Sequence, residues 1–340
     1  MATTETLLSL PPELPGPGFF ANHSPGPVIL RFLLFVVLAV LFGSGFISLA
    51  EWVKLIEPSI GSAPGLLISE CARGAGTLLA AWVMSRLEGR RLGEYGLPWR
   101  AGEGKRFAQG AAFGIVEISG VIGVLGALGY YSFGSIEIHG GELLKWVIYW
   151  AATFLAVAFF EEYAFRGYGQ FTLTRGFGFW PAALTTSLFF GVVHTFNPGE
   201  SWPGIAGVVL VGIFWCFTVR RTGTLWFALG MHAAFDFGET FVFSVPDSGA
   251  VFPGHLSSAV VHGGSAWLVG GTAGPEGSIL DFLMLGIFFY VVHRMYPAKP
   301  EPTSDASVQR ESAGANLSPP SADAPRNTLD SSIHSSDSDG

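Results

Sequence analysis

The chain has 340 residues, of which 49% are hydrophobic and only 13% charged, against about 25% charged in soluble domains. That shortage argues against an ordinary soluble enzyme and for a membrane protein. The net charge of −8 sits mostly in the ends: residues 300–340 hold seven acids against two arginines, and residues 1–27 hold two acids and no base. The near-neutral body has no basic face, so nucleic acid is not an expected partner. The two cysteines, Cys71 and Cys216, both lie in apolar runs. They exclude a disulfide framework or zinc ribbon and are expected as small buried residues.

In chain order, the opening MATTETLLSLPPELPGPGFFANHSPGP has no basic start and is rich in proline. It does not read as a cleaved signal peptide, and residues 1–27 are expected to form a disordered cytoplasmic tail. Apolar runs of membrane-spanning character follow at about 29–50, 64–86, 107–131, 143–170, 179–196, 203–219, 223–244 and 278–295, judged by the roughly 20 residues a spanning helix needs. The expected fold is all-α: a polytopic membrane helix bundle of about eight transmembrane helices over residues 28–299. The 46 glycines suit closely packed membrane helices, and no internal repeat is visible. Segment 86–106, with Tyr95 and Trp99 among basic groups, reads as interfacial. Residues 245–277, rich in Gly, Ser and Pro, read as an outer loop. Residues 300–340 are too poor in apolar groups to fold and are expected to be a second disordered cytoplasmic tail.

Lysine and arginine set the orientation. Arg86, Arg90, Arg91, Arg100, Lys105 and Arg106 lie between the second and third spans. Arg166 and Arg175 follow the fourth, Arg220 and Arg221 the sixth, and Arg294 and Lys299 the eighth. The alternate loops hold little beyond Lys54 and Lys145. By the positive-inside rule this predicts a multi-pass protein of the cell membrane with both termini cytoplasmic.

Ionisable residues within spans mark candidate sites, and three clusters stand out: Glu161-Glu162-x-x-x-Arg166, Phe190-x-x-x-His194 and His232-x-x-x-Asp236. Residues four apart share a helix face, so Glu162 can meet Arg166 and His232 can sit over Asp236. Glu161 points about 100° away from Glu162 at 3.6 residues per turn, which frees one glutamate to face a cavity while the other pairs with the arginine. At 1.5 Å per residue, Glu161 lies about 15 Å from the end of its span, His194 about 22 Å into its own and His232 about 13 Å into its own, so the three clusters can meet near mid-membrane. Elsewhere, Glu70 and Arg73 are spaced to pair. Glu117 has no local partner, Glu239 stands one turn beyond Asp236, and Asp281 and His293 fall near interfaces. His139, His255 and His262 fall in outer loops.

Glutamate with histidine is a proton-handling combination. The carboxylate takes a proton from water and returns it to a leaving amine, and histidine shares the water or steadies an oxyanion. Glu161, His194, His232 and Asp236 are also a donor set for a divalent metal such as zinc with an open position, although HExxH is absent.

The pieces EEYAFRGYGQFTL, LFFGVVHTFNP and GIFWCFTVRRTGTLWFALGMHAAFD, in that order over roughly residues 145–240, resemble the CAAX prenyl protease type II and bacteriocin-processing (CPBP, or Abi) family of intramembrane proteases. The resemblance implies an integral-membrane endopeptidase acting on a membrane-associated peptide or protein. In it Glu161 is the general base assisted by His194, His232 and Asp236 form the oxyanion-side or water-binding pair, and Glu162 and Arg166 are structural partners. Prenyl-processing relatives usually carry Asn where this chain has Asp236, a difference that weakens an amide-type oxyanion donor there and suits a metal equally well. Two other functions compete: a non-catalytic membrane scaffold or bacteriocin self-immunity protein, and a proton-coupled transporter. The complete set of acids and histidines favours the enzyme over the scaffold, and the lack of an inverted repeat argues against transport.

Overall fold

The computed structural model describes residues 18–55, 63–98, 100 and 102–297. Their helices are α1 (Gly18–Ala21), α2 (Pro25–Trp52), α3 (Ala63–Leu87), α4 (Glu103–Ala127), α5 (Gly140–Glu162), α6 (Gln170–Phe177), α7 (Phe179–His194), α8 (Trp202–Thr222), α9 (Trp226–Asp236), α10 (Ala266–Val269) and α11 (Ile279–Met295). Each apolar run read from the sequence contains a helix, and the chain forms an all-α membrane bundle. Among the described residues, five stretches are long and apolar enough to cross a bilayer: Pro25–Trp52, Gly65–Leu87, Glu103–Ala127, Gly140–Phe177 and Trp202–Thr222. The helices at the other three runs, α7, α9 and α11, are shorter, at 16, 11 and 17 residues. On α2, Leu30, Leu33, Val37, Val40 and Leu41 are exposed, a stripe that suits lipid and that a soluble surface would rarely carry. Residues 18–27, assigned to the N-terminal tail by composition, hold α1 and the start of α2; residues 1–17 and 298–340 lie outside the described residues.

The closest helix packing is α4 against α9, with α2 along α3, α5 against both α3 and α9, α7 against α8, and α11 against α8. Glycine permits the first of these. A Cβ at Gly110 would stand 1.9 Å from the Phe227 carbonyl oxygen, and one at Gly114 would stand 2.2 Å from that of Met231. The run G-A-A-F-G over residues 110–114 is thus a small-xxx-small seam, and it holds the backbone that carries His232 and Asp236 directly against α4.

The loop between α9 and α11 is folded onto this bundle rather than hanging from it. Its strand β2 (Val260–Val261) pairs antiparallel with β1 (Tyr131–Ser132). Leu256 N–H donates to the Phe241 carbonyl, Glu137 N–H to that of Leu256, and Gly249 N–H to that of Ala273. Trp150 on α5 donates from Nε1 to the Gly254 carbonyl at 3.2 Å and packs against Phe252.

Two readings of single residues change. Tyr95 is a core residue, not an interfacial anchor: it is fully buried and its hydroxyl donates to Glu88. Glu88 needs such donors because it is buried; Tyr168 supplies a second, and Arg31, a buried cation not singled out in the sequence, lies 3.6 Å away. Trp99 lies outside the described residues. Cys216 is buried as expected, whereas Cys71 is exposed on the flank of α3.

Candidate functional site

Glu161 and Glu162 end α5, and a π-helical turn, Tyr163–Gly169, follows at once; its backbone leaves helical geometry at Gly167 (φ −79°, ψ −114°) before α6 begins. The apolar run read as one straight span over 143–170 is therefore broken. The cause is local: YAFRGYG places glycines and a buried arginine where a regular helix would need its next two turns, and π-turns of this kind concentrate at functional sites.

The adjacent glutamates have different surroundings. Glu162 is completely buried and accepts from Arg166 Nη1 at 3.0 Å, while its same oxygen lies 3.3 Å from His232 Nδ1. Arg166 is also sealed in, with its guanidinium 4.2 Å from the Phe190 ring centre and 5.2 Å from that of Trp215, close enough for cation–π attraction. The Glu161 side chain keeps 19% exposure, and its Oε2 stands 3.7 Å from His232 Nε2.

His232 is the hub. Besides the two glutamates it meets Asp236, one turn on, through Nε2 at 3.3 Å. Trp215 stacks on its ring at 4.3 Å and 19°, which leaves the imidazole little freedom to turn. His194 closes α7, with Nδ1 2.9 Å from the Phe190 carbonyl oxygen and its ring edge-on to Phe190. A carbonyl only accepts, so in that contact Nδ1 carries the hydrogen and a neutral His194 presents Nε2 as an acceptor.

Glu161, His194, His232 and Asp236 line one cavity of about 290 Å³, whereas Glu162 and Arg166 are not among its lining residues. The cavity wall also includes residues not ranked high from sequence. Glu117 is there, and so is Asp281, expected near an interface but only 4% exposed. α11 follows directly on the folded loop and packs against α8, with Phe282 of its first turn beside Gly207, so protein covers this helix end in place of solvent. Glu70 and Arg73, paired as their spacing predicted, lie on the wall as well. Asn197, from the turn after α7, and Ser248, Asp247 and Glu276, from the α9–α11 loop, complete the polar lining. Nothing in the local sequence marked the last two, because only the loop's fold brings them over the helices. Burial, reinforced by Asp236, pushes the Asp247 carboxyl well above the usual carboxylate range. Burial, reinforced by Asp247, does the same to Glu276. Glu239 is fully buried but is not a lining residue.

As a metal cage the donor set fits poorly. Both nitrogens of His232 face carboxylate oxygens, and among the described residues no three His, Cys, Asp or Glu converge in a metal-ligand arrangement. No step below is routed through a metal.

A multi-pass helix bundle enclosing a polar cavity, with carboxylates and imidazoles gathered at its wall, defines a membrane protein built for chemistry or binding between its helices. Residues 143–238 match the family model described as Rce1-like, type II CAAX prenyl endopeptidase, under a third of the chain but the part that carries all three polar clusters. That match supports the resemblance of this region's motifs to the CPBP family of CAAX-type intramembrane proteases. No curated protein and no solved structure matches the chain.

Proposed function

We propose that the chain is an integral-membrane endopeptidase that hydrolyses a peptide bond in a membrane-associated polypeptide with a water activated by Glu161. The observation that carries this reading is the division of labour between neighbours: Glu162 is neutralised and buried by Arg166, while Glu161 alone reaches the cavity, beside His232. Glu161 and Nε2 of His194 together offer two acceptors to one water. As the water oxygen attacks the carbonyl carbon, Glu161 takes its proton. Once protonated, Glu161 competes less for the N–H at His232 Nε2, which then donates to the developing oxyanion while Glu162 at Nδ1 and the Trp215 ring hold the imidazole in place. Glu161 passes its proton to the leaving amine as the C–N bond breaks. The protein sits in the cell membrane with both termini cytoplasmic, a placement supported by the clustering of arginine and lysine in alternate loops.

The test is cleavage of a fluorogenic membrane peptide by purified wild type and Glu161→Gln, with thermal unfolding measured in parallel. Cleavage falls by about 10²–10⁴-fold, the scale of general-base loss, and the melting temperature holds. Full cleavage by Glu161→Gln overturns the base assignment; no cleavage by wild type, with partner binding intact, gives the scaffold reading instead.

A further inference from the structure

The cavity wall is more acidic than hydrolysis requires. Beyond Glu161 and Asp236 it carries Glu70, Glu117, Asp247, Glu276 and Asp281, and its one arginine, Arg73, is bound to Glu70. Two of these acids are unsatisfied in a way a structural role does not explain. Glu117 is 2% and Asp281 4% exposed, and each has a buried carboxylate oxygen, Oε1 and Oδ1 respectively, with no hydrogen-bond partner. Glu276 Oε1 is in the same condition at the loop side. Behind the wall stands Glu239, with both oxygens unpartnered and with Glu276, Asp247, Asp236 and Asp281 as its charged neighbours. A protein interior does not leave carboxylates unmatched without a reason, because each forfeits its hydration.

We infer that this wall recognises a cationic side chain of the substrate polypeptide, a lysine or arginine seated close to the scissile bond and entering from the side of the α9–α11 loop. This deepens the endopeptidase reading and rests on it. The placement of the acids favours a peptide cation over an inorganic one. They come from α3, α4, α11 and the loop, spread around a cavity of about 290 Å³, and among the described residues they do not converge into a metal cage. A long, flexible ammonium or guanidinium side chain can reach a distributed set of acceptors, and its stem lies well against Phe154, Val157 and Phe252 on the same wall. The volume, near the lower end of the range for ligand pockets, holds a short extended stretch of peptide. Asp247 and Glu276 approach from the loop, so they meet the cation first; Glu117 and Asp281 are contributed by the helices.

The experiment uses one apolar fluorogenic peptide in three forms that differ at a single position flanking the scissile bond: lysine, its neutral isostere norleucine, or glutamate. Wild type in detergent micelles cleaves the lysine form with kcat/KM about tenfold or more above norleucine, carried mainly by KM, and the glutamate form most slowly, as expected for a substrate charge meeting a partly desolvated acidic wall. In Asp247→Asn/Glu276→Gln the lysine-to-norleucine ratio drops toward one. The same three peptides, fluorescently labelled, are titrated against Glu161→Gln to read binding without turnover. A binding preference for lysine with no cleavage by wild type keeps cation recognition and removes the endopeptidase. Equal handling of lysine and norleucine in both assays, or a ratio unchanged in the double variant, overturns the inference. So does calcium chloride at matched ionic strength saturating the protein while the peptides show no preference, which makes the wall an inorganic cation site.

Discussion

The Glu162–Arg166 pair carries the most exposed part of the reasoning. Both side chains are fully buried, and their contact is 3.0 Å. Glu162→Gln keeps the side chain's shape and an oxygen able to accept from His232, so it removes little except the negative charge facing Arg166. The guanidinium already has Nε and Nη2 without partners and then has only a neutral amide oxygen and the faces of Phe165, Phe190 and Trp215 in place of a counter-charge. Leaving one member of a buried pair uncompensated costs about 3–5 kcal/mol. At about 2–4 °C per kcal/mol for domains in the 150–250-residue range, the melting temperature drops by on the order of 10 °C. Arg166→Met alone strands Glu162 and is destabilised to a similar degree. The double variant Glu162→Gln/Arg166→Met removes both charges and recovers much of the loss, so the coupling energy is about 2 kcal/mol or more, at the upper end seen for contacting residues. The assay is thermal unfolding of the four purified proteins in one detergent. If Glu162→Gln melts within about 2 °C of wild type, a shift corresponding to 1 kcal/mol or less, or if the double variant is no more stable than Glu162→Gln, the two glutamates are not divided in the way argued here.

Three further outcomes follow from the packing and the site. Gly114→Leu, at a position where even a Cβ meets the Met231 carbonyl at 2.2 Å, abolishes cleavage and lowers the melting temperature, whereas Gly123→Leu on the same helix faces open space and is tolerated; equal tolerance of both removes the close α4–α9 seam as the support of His232. Cleavage survives exhaustive treatment with a zinc chelator, because His232 is engaged through both nitrogens; activity lost to the chelator and restored by zinc shows that the donor set rearranges into a metal site. Reporter fusions after Val245 and after Pro297 report outside and inside respectively, and the reversed pattern places the loop, with Asp247 and Glu276, on the cytoplasmic side.

What the sequence made legible was periodic. Helical runs announce themselves by apolar length, and Glu162 with Arg166, His232 with Asp236 and Glu70 with Arg73 are local pairs, set by spacings of three and four. What stayed hidden depends on tertiary placement. Asp281 looked cheap because it begins a helix, and only the folded loop and the packing of α11 against α8 cover that helix end. Asp247 and Glu276 sit in a Gly- and Pro-rich loop whose pairing with residues 130–137 has no period to read. Arg31 and Tyr95 gain their meaning from Glu88, which is distant in sequence from Arg31 and Tyr168. The break after Glu162 was hidden for the opposite reason: the apolar run continues through it, so composition argued for an uninterrupted span.

That break bears on how a membrane protein keeps a working carboxylate. In a regular helix Glu161 and Glu162 already diverge by about 100°, but both still need a solution to burial in a medium where a charge is costly. The π-turn makes room for Arg166 to lie back over Phe190 and Trp215, bonded to Glu162. Trp215, one face toward the guanidinium, lies flat on His232 with its ring system. One aromatic side chain thus links the structural ion pair to the imidazole that serves the cavity, and Glu162 links them a second time through His232 Nδ1. The only carboxylate of the motif left without a permanent cation is Glu161, and it is the one that faces the cavity. A helix bundle that wanted these groups merely as glue would have matched Glu161 as completely as it matched Glu162.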